Sequence, residues 1–144
     1  MLKKKVKQIY YMKRTMNNKK LITAIKDIPI IAEKDRWVFT FDKEEGSLFY
    51  APKIIARNSA LHQVTDEYAV YLDTNLKPSG IVVEYYKENF LKHNIILSEA
   101  DKKMFKSSKK GEIVVKPKSK DEFIFQALFE KNLIKQAISN MVSA

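Results

Sequence analysis

The segment from Lys120 to Val142 constrains this chain more than any other, because twenty-three residues pass without Gly or Pro, enough for about six turns of helix. At helical spacing it projects Phe123, Ile124, Ala127, Ile134, Ala137, Ile138 and Met141 onto one side. Phe125, Phe129 and Leu133 fall on another, at successive i, i+4 steps. A helix apolar on two sides needs two covers: it threads between a sheet and a neighbouring helix, or it lends one side to another chain. Phe125, Phe129 and Leu133 are the expected interface, since leaving them in water forgoes ~1.5–3 kcal/mol each. A homodimer would cover them, because a two-fold axis sets one apolar stripe against its own copy.

The elements before it are shorter and change period. Leu21, Ile22, Ile25 and Ile28 fit a short amphipathic helix from Asn18 that Pro29 should stop. Trp37, Phe39 and Phe41 alternate with Val38 and Thr40, Asp42 to Gly46 supplies a turn, and Leu48 and Tyr50 resume the alternation. That predicts a β-hairpin. Residues 53 to 66 read as an irregular connection. Tyr68 to Asp73 and Ile81 to Tyr86 form a second hairpin around a loop rich in turn formers. Helical character returns from Tyr86 to His93, with Asn94 as a left-handed cap. Ser98 should cap a helix that has Glu99 and Asp101 in its first turn. Glu112 to Lys116 would be a short fifth strand. The expectation is an α+β fold: a small antiparallel sheet of two hairpins packed with an N-terminal helix and the long C-terminal helix. Residues 1–17 form a basic arm, either a helix or loose, and residues 18–144 a single domain.

At 144 residues, such a domain buries roughly two-thirds of its unfolded surface and needs no covalent staple. The absence of Cys and the presence of only two His argue against a disulfide scaffold, a thiol nucleophile and a structural metal. No cofactor or metal is expected. No apolar run reaches the roughly 20 residues that span a bilayer, and polar sequence follows the first lysines, so a cytoplasmic protein without membrane contact is expected.

Charge is concentrated at the ends. The net charge is +10; residues 1–20 carry eight cations and no acid, residues 21–98 nine cations and eleven acids, and residues 99–144 ten cations and six acids. Basic ends favour a polyanion, since each cation set against a phosphate releases counterions without reading sequence. Of the 27 cations 24 are Lys, which also fits a solvated surface and gives little of the bidentate recognition that Arg provides. Lys3, Lys4, Lys5, Lys7, Lys13, Arg14, Lys19 and Lys20, with Tyr10 and Tyr11 as stacking platforms, are the expected contacts to RNA or DNA. Tyr85-Tyr86-Lys87 repeats the pattern on a smaller scale.

Convergent catalytic groups are scarce. Asp73, Glu84 and Lys87 have the residue types of a metal-dependent nuclease. Such sites favour Glu-x-Lys, however, and Glu84 and Lys87 are three apart. The acids Asp42, Glu44 and Glu45 read as turn residues. His62 and His93 have neither Ser nor Cys nearby and read as surface histidines. Three isolated Gly cannot build a phosphate loop. A non-enzymatic binding protein is expected, with a small nuclease as the remote alternative.

The run Phe41-Asp42-Lys43-Glu44-Glu45-Gly46-Ser47-Leu48-Phe49-Tyr50, then Tyr71-Leu72-Asp73, then Ser79-Gly80-Ile81-Val82-Val83-Glu84 resembles a small bacterial and archaeal two-hairpin family of unknown function. The resemblance covers residues 37–94. Gly46 stands where that family carries an acid, and the loop after Asp73 is longer. The resemblance implies an antiparallel sheet module without catalytic residues. It also implies an antitoxin-like role, hence a second expectation: a protein-binding regulator or inhibitor of the antitoxin-like or phage-encoded kind.

Overall fold

The computed structural model describes residues 18–54, 58–105, 112–114 and 120–143. In chain order it comprises α1 (Asn18–Lys26), α2 (Ile28–Lys34), β1 (Val38–Asp42), β2 (Ser47–Ala51), β3 (Ala60–Gln63), β4 (Tyr68–Leu72), β5 (Pro78–Val83), α3 (Ile95–Phe105), β6 (Glu112–Val114) and α4 (Lys120–Ser143). The fold is α+β, with one antiparallel sheet of six strands in the order β3-β4-β5-β2-β1-β6. Four of these strands form the two expected hairpins, although the return strand of the second is Pro78–Val83 and not Ile81–Tyr86, and β6 is the short additional strand, lying beside β1.

β3 corrects the expectation of an irregular connection over residues 53–66. It pairs with β4 through Ala60↔Leu72 and His62↔Val70, so His62 is a buried strand residue and not a surface histidine. Register then aligns Phe39, Tyr50, Ile81, Val70 and His62 in one row across five strands. Successive residues on a strand alternate faces, so this row and the adjacent Phe41, Leu48, Val83 and Tyr68 build the sheet's core side.

The helices cover that side. α1 buries Leu21, Ala24 and Ile25 at i, i+3, i+4 spacing. Pro29 does not stop the helical path as expected. The chain breaks at Asp27, and Pro29 occupies the first turn of α2, where a missing N–H costs nothing. α2 ends with Arg36 at φ +54° and with the Trp37 N–H donating to the Ala32 carbonyl at 2.9 Å.

After β5, a π-helical turn spans Tyr86–Phe90 and a 3₁₀ turn Leu91–His93. Asn94 is not a left-handed cap: its φ is −136°. α3 begins there and not at Ser98, whose N–H donates to the Asn94 carbonyl at 2.8 Å.

α4 resolves its two apolar sides in the opposite sense to the expectation. Phe125, Phe129 and Leu133 are wholly buried. Phe125 and Phe129 meet the Phe39 ring edge-on at 4.9 and 5.3 Å, while Phe39 stacks on Tyr50 at 4.2 Å. These side chains are the centre of the monomer's core, so they are not available as a dimer interface. Of the other side Phe123, Ile124 and Ile138 remain exposed, whereas Ala137 joins the core, contrary to expectation, and Ile134 packs against it. Aromatic rings reach further across the helix–sheet gap than Ile or Ala, which is why the shorter stripe takes the core.

Candidate functional site

Asp73, Glu84 and Lys87 are not brought together. Hairpin register pairs Leu72 with Pro78 and Tyr68 with Val83, so Asp73 and Glu84 sit just beyond opposite ends of a five-residue ladder, ~20 Å apart at the usual strand rise. Asp73 Oδ1 accepts the backbone N–H groups of Asn75 and Lys77 at 2.8 and 2.9 Å, which makes it the organiser of the β4–β5 turn. Glu84 is exposed, and Lys87 Nζ lies 4.7 Å above the Phe41 ring. The nuclease constellation is therefore not assembled. Asp42 plays the same part as Asp73 in the first hairpin, accepting from Glu44 and Glu45. Among the described residues no group of three or more His, Cys, Asp or Glu is placed to hold a metal.

Of the expected nucleic-acid contacts, Lys3, Lys4, Lys5, Lys7, Tyr10, Tyr11, Lys13 and Arg14 lie outside the described residues. Lys19 and Lys20 are exposed in the first turn of α1. They share a shallow cleft with Lys77 from the β4–β5 turn, floored by Ala24, Ile31 and Pro78. Lys77 also pairs with Asp35 at 3.0 Å. The second aromatic pattern divides. Tyr85, at φ +51°, points into solvent, whereas Tyr86 is buried and donates to Asp101 Oδ1 at 2.6 Å. Burial pushes the Tyr86 hydroxyl far above its ordinary range and raises the Asp101 carboxyl.

A polar cleft that sequence reasoning missed lies between the β3–β4 turn, the π-helical turn and α4. Glu67 Oε2 takes His93 Nδ1–H at 2.7 Å, and Oε1 takes Gln136 Nε2 at 2.9 Å. Gln136 also donates to Asn132 Oδ1 at 2.7 Å, and Asn132 reaches Asn94. The partners are 26 and 69 residues from Glu67 in sequence, so no local pattern could reveal them.

The third surface is the outer side of α4. Together with Pro29 of α2 it forms an open groove of about 700 Å³, lined by Ala127, Glu130, Lys131, Ile134, Lys135 and Ile138. No described helix is long and apolar enough to cross a membrane. Comparison of the chain with protein-family models, curated proteins and solved structures finds no match.

Proposed function

We propose that this chain is a non-enzymatic nucleic-acid-binding protein, contacting the phosphate backbone through the cation-rich start of the chain and the first turn of α1. The observation that carries the reading is the exposure of Lys19 and Lys20 around one cleft with Lys77, directly following six cations in residues 1–17 that have no acid among them. Lysines suit sequence-independent phosphate contact and not base readout, so RNA and DNA should both bind, with little sequence preference.

Electrophoretic shift with single- and double-stranded oligonucleotides at about 50 and 300 mM salt tests this, since phosphate-dominated binding falls steeply with salt. Lys19→Glu/Lys20→Glu should weaken binding to every sequence alike and flatten the log–log salt slope by about 1.4–1.8, the share of two phosphate contacts. Absence of binding at the lower salt removes the reading.

A further inference from the structure

The outer side of α4 is an apolar face that the described residues leave open. Phe123 is 57% exposed, Ile124 46% and Ile138 37%, and the α2 residue that lines the groove is Pro29. Scattered single apolar residues on a surface are ordinary, but Phe123, Ile124 and Ile138 recur along α4 over four turns, and Ile138 shares the groove with Ala127 and Ile134. We propose that this groove docks an acidic amphipathic helix of a partner protein. The surface is separate from the Lys19–Lys20 cleft, so the inference stands apart from the nucleic-acid reading.

Geometry selects a helix. The stripe from Phe123 to Ile138 runs ~24 Å at 1.5 Å per residue, a length that the i, i+3, i+4, i+7 anchors of a helix fill. Charge selects its sign. The exposed ionic side chains interleaved with the stripe are Lys120, Lys131 and Lys135, all cations, while Glu130 is turned inward to Tyr50. The acids Asp121 and Glu122 of the first turn are half-buried and buried. On the α2 wall Glu33 is exposed one turn after Pro29, so the partner's acids belong on the α4 side of the groove and not on the α2 side.

The same charges argue against the other two occupants. Residues 1–17 carry six cations and no acid, so the chain's own arm would be repelled by Lys131 and Lys135. In a two-fold pairing of α4 with its copy, the stripe is centred between residues 130 and 131, so the two copies of Lys131 would face each other across the axis. Like charges set opposite one another suppress that pairing.

Anisotropy titrations of the full chain decide the matter with three labelled synthetic peptides of about 18 residues, long enough to span the stripe. The first has Leu at i, i+3, i+4, i+7 and Glu on its polar side; the second replaces each Glu with Lys; the third scrambles the first. The acidic amphipathic peptide should bind at least about tenfold more tightly than either control. Ile138→Asp and, separately, Lys131→Glu/Lys135→Glu should each weaken it about fivefold or more, with unchanged thermal unfolding. Equal binding of the scramble or the Lys peptide, no saturable binding, or indifference to Ile138→Asp overturns the proposal. A wild type that sediments as a dimer, and as a monomer after Ile138→Asp, gives the face to a second copy and equally overturns it.

Discussion

The Tyr50 hydroxyl donates a 2.6 Å hydrogen bond to Glu130 Oε2, tying the centre of β2 to the middle of α4 across 80 residues of sequence. Two further tyrosines do the same work nearby: Tyr68 donates to the Leu133 carbonyl at 2.6 Å and Tyr86 to Asp101. Each places a polar tip at the far end of a ring that is itself core, so the sheet is bonded to its helices where apolar contact alone would leave their register less fixed. Tyr50→Phe leaves a buried carboxyl one donor short and should cost ~1–3 kcal/mol. Urea denaturation at neutral pH measures it, and a loss within error would show that Glu130 finds another donor.

Burial raises the Glu130 carboxyl, and the hydrogen bonds from Tyr50 and Gln126 only partly offset it; Asp101 is raised for the same first reason. The native state therefore holds these protons more tightly than the unfolded chain does. Their contribution is fully present below the ordinary carboxyl value, about 4, and is lost as pH rises through the raised folded values. Glu130→Gln mimics the protonated form, so its stability relative to wild type should improve as pH rises from about 4 through the raised folded-state range. A variant curve parallel to wild type would contradict this. Burial also pushes Tyr50, Tyr68 and Tyr86 well above the ordinary phenol value, so stability should fall again above about pH 10.

The reversal of the two α4 stripes gives a sharp contrast. Phe129 is wholly buried against Phe39, Tyr50 and Phe90, so Phe129→Ala should cost ~3–5 kcal/mol, and Phe129→Glu should unfold the chain without first dissociating anything. Phe123→Ser, at a site 57% exposed, should stay within ~0.5 kcal/mol of wild type. Chemical denaturation ranks the three, and similar losses at 123 and 129 would mean that the outer stripe is covered within the monomer.

What the sequence could and could not reveal follows from the range of the interactions. The β1–β2 hairpin was legible because Phe39, Phe41, Leu48 and Tyr50 alternate around a turn whose chemistry, Asp42 and Gly46, is local. β3 was not, because its core-facing residues are Ala60 and His62 while Leu61 sits on the other side, which inverts the polarity that alternation looks for. Periodicity showed that α4 has two apolar sides; it could not say which one faces the sheet, since that depends on Phe39 and Tyr50, some 80 to 90 residues away. The Glu67 cleft joins four segments and has no local signature at all.

Two glycines should resist substitution for different reasons. Gly46 sits at φ +72°, where its N–H closes the hairpin onto the Asp42 carbonyl at 2.8 Å. A Cβ there would meet the Glu88 carboxylate at an ordinary 3.5 Å, so the cost of Gly46→Ala is conformational, ~1–2 kcal/mol, and Gly46→Asn should cost less. At Gly80 the backbone is unstrained, but a Cβ would come to 3.0 Å from Ala51 Cβ and 3.4 Å from the Tyr71 ring. Gly80→Ala should be partly rescued by Ala51→Gly, whereas no neighbour can rescue Gly46→Ala. Thermal unfolding of the single and double variants separates the two cases.

Glu67 should behave as a fastener for α4. Its carboxylate is only 14% exposed and accepts from His93 and Gln136, with Asn89 at 3.5 Å. Gln136 in turn is bonded to Asn132 on the preceding turn of α4. Glu67→Ala removes one of the two acceptors of the Gln136 Nε2 group and should cost ~1–3 kcal/mol. His93 is 63% exposed, so its pair with Glu67 is largely screened, and His93→Ala should cost well under ~1 kcal/mol. A double-mutant cycle between Glu67→Ala and Gln136→Ala should return a coupling of ~0.5–1.5 kcal/mol, larger than that between Glu67→Ala and His93→Ala. The reverse order would mean that the carboxylate is there to hold the imidazole, and would make Nε2 of His93 the first atom to test for proton-transfer chemistry.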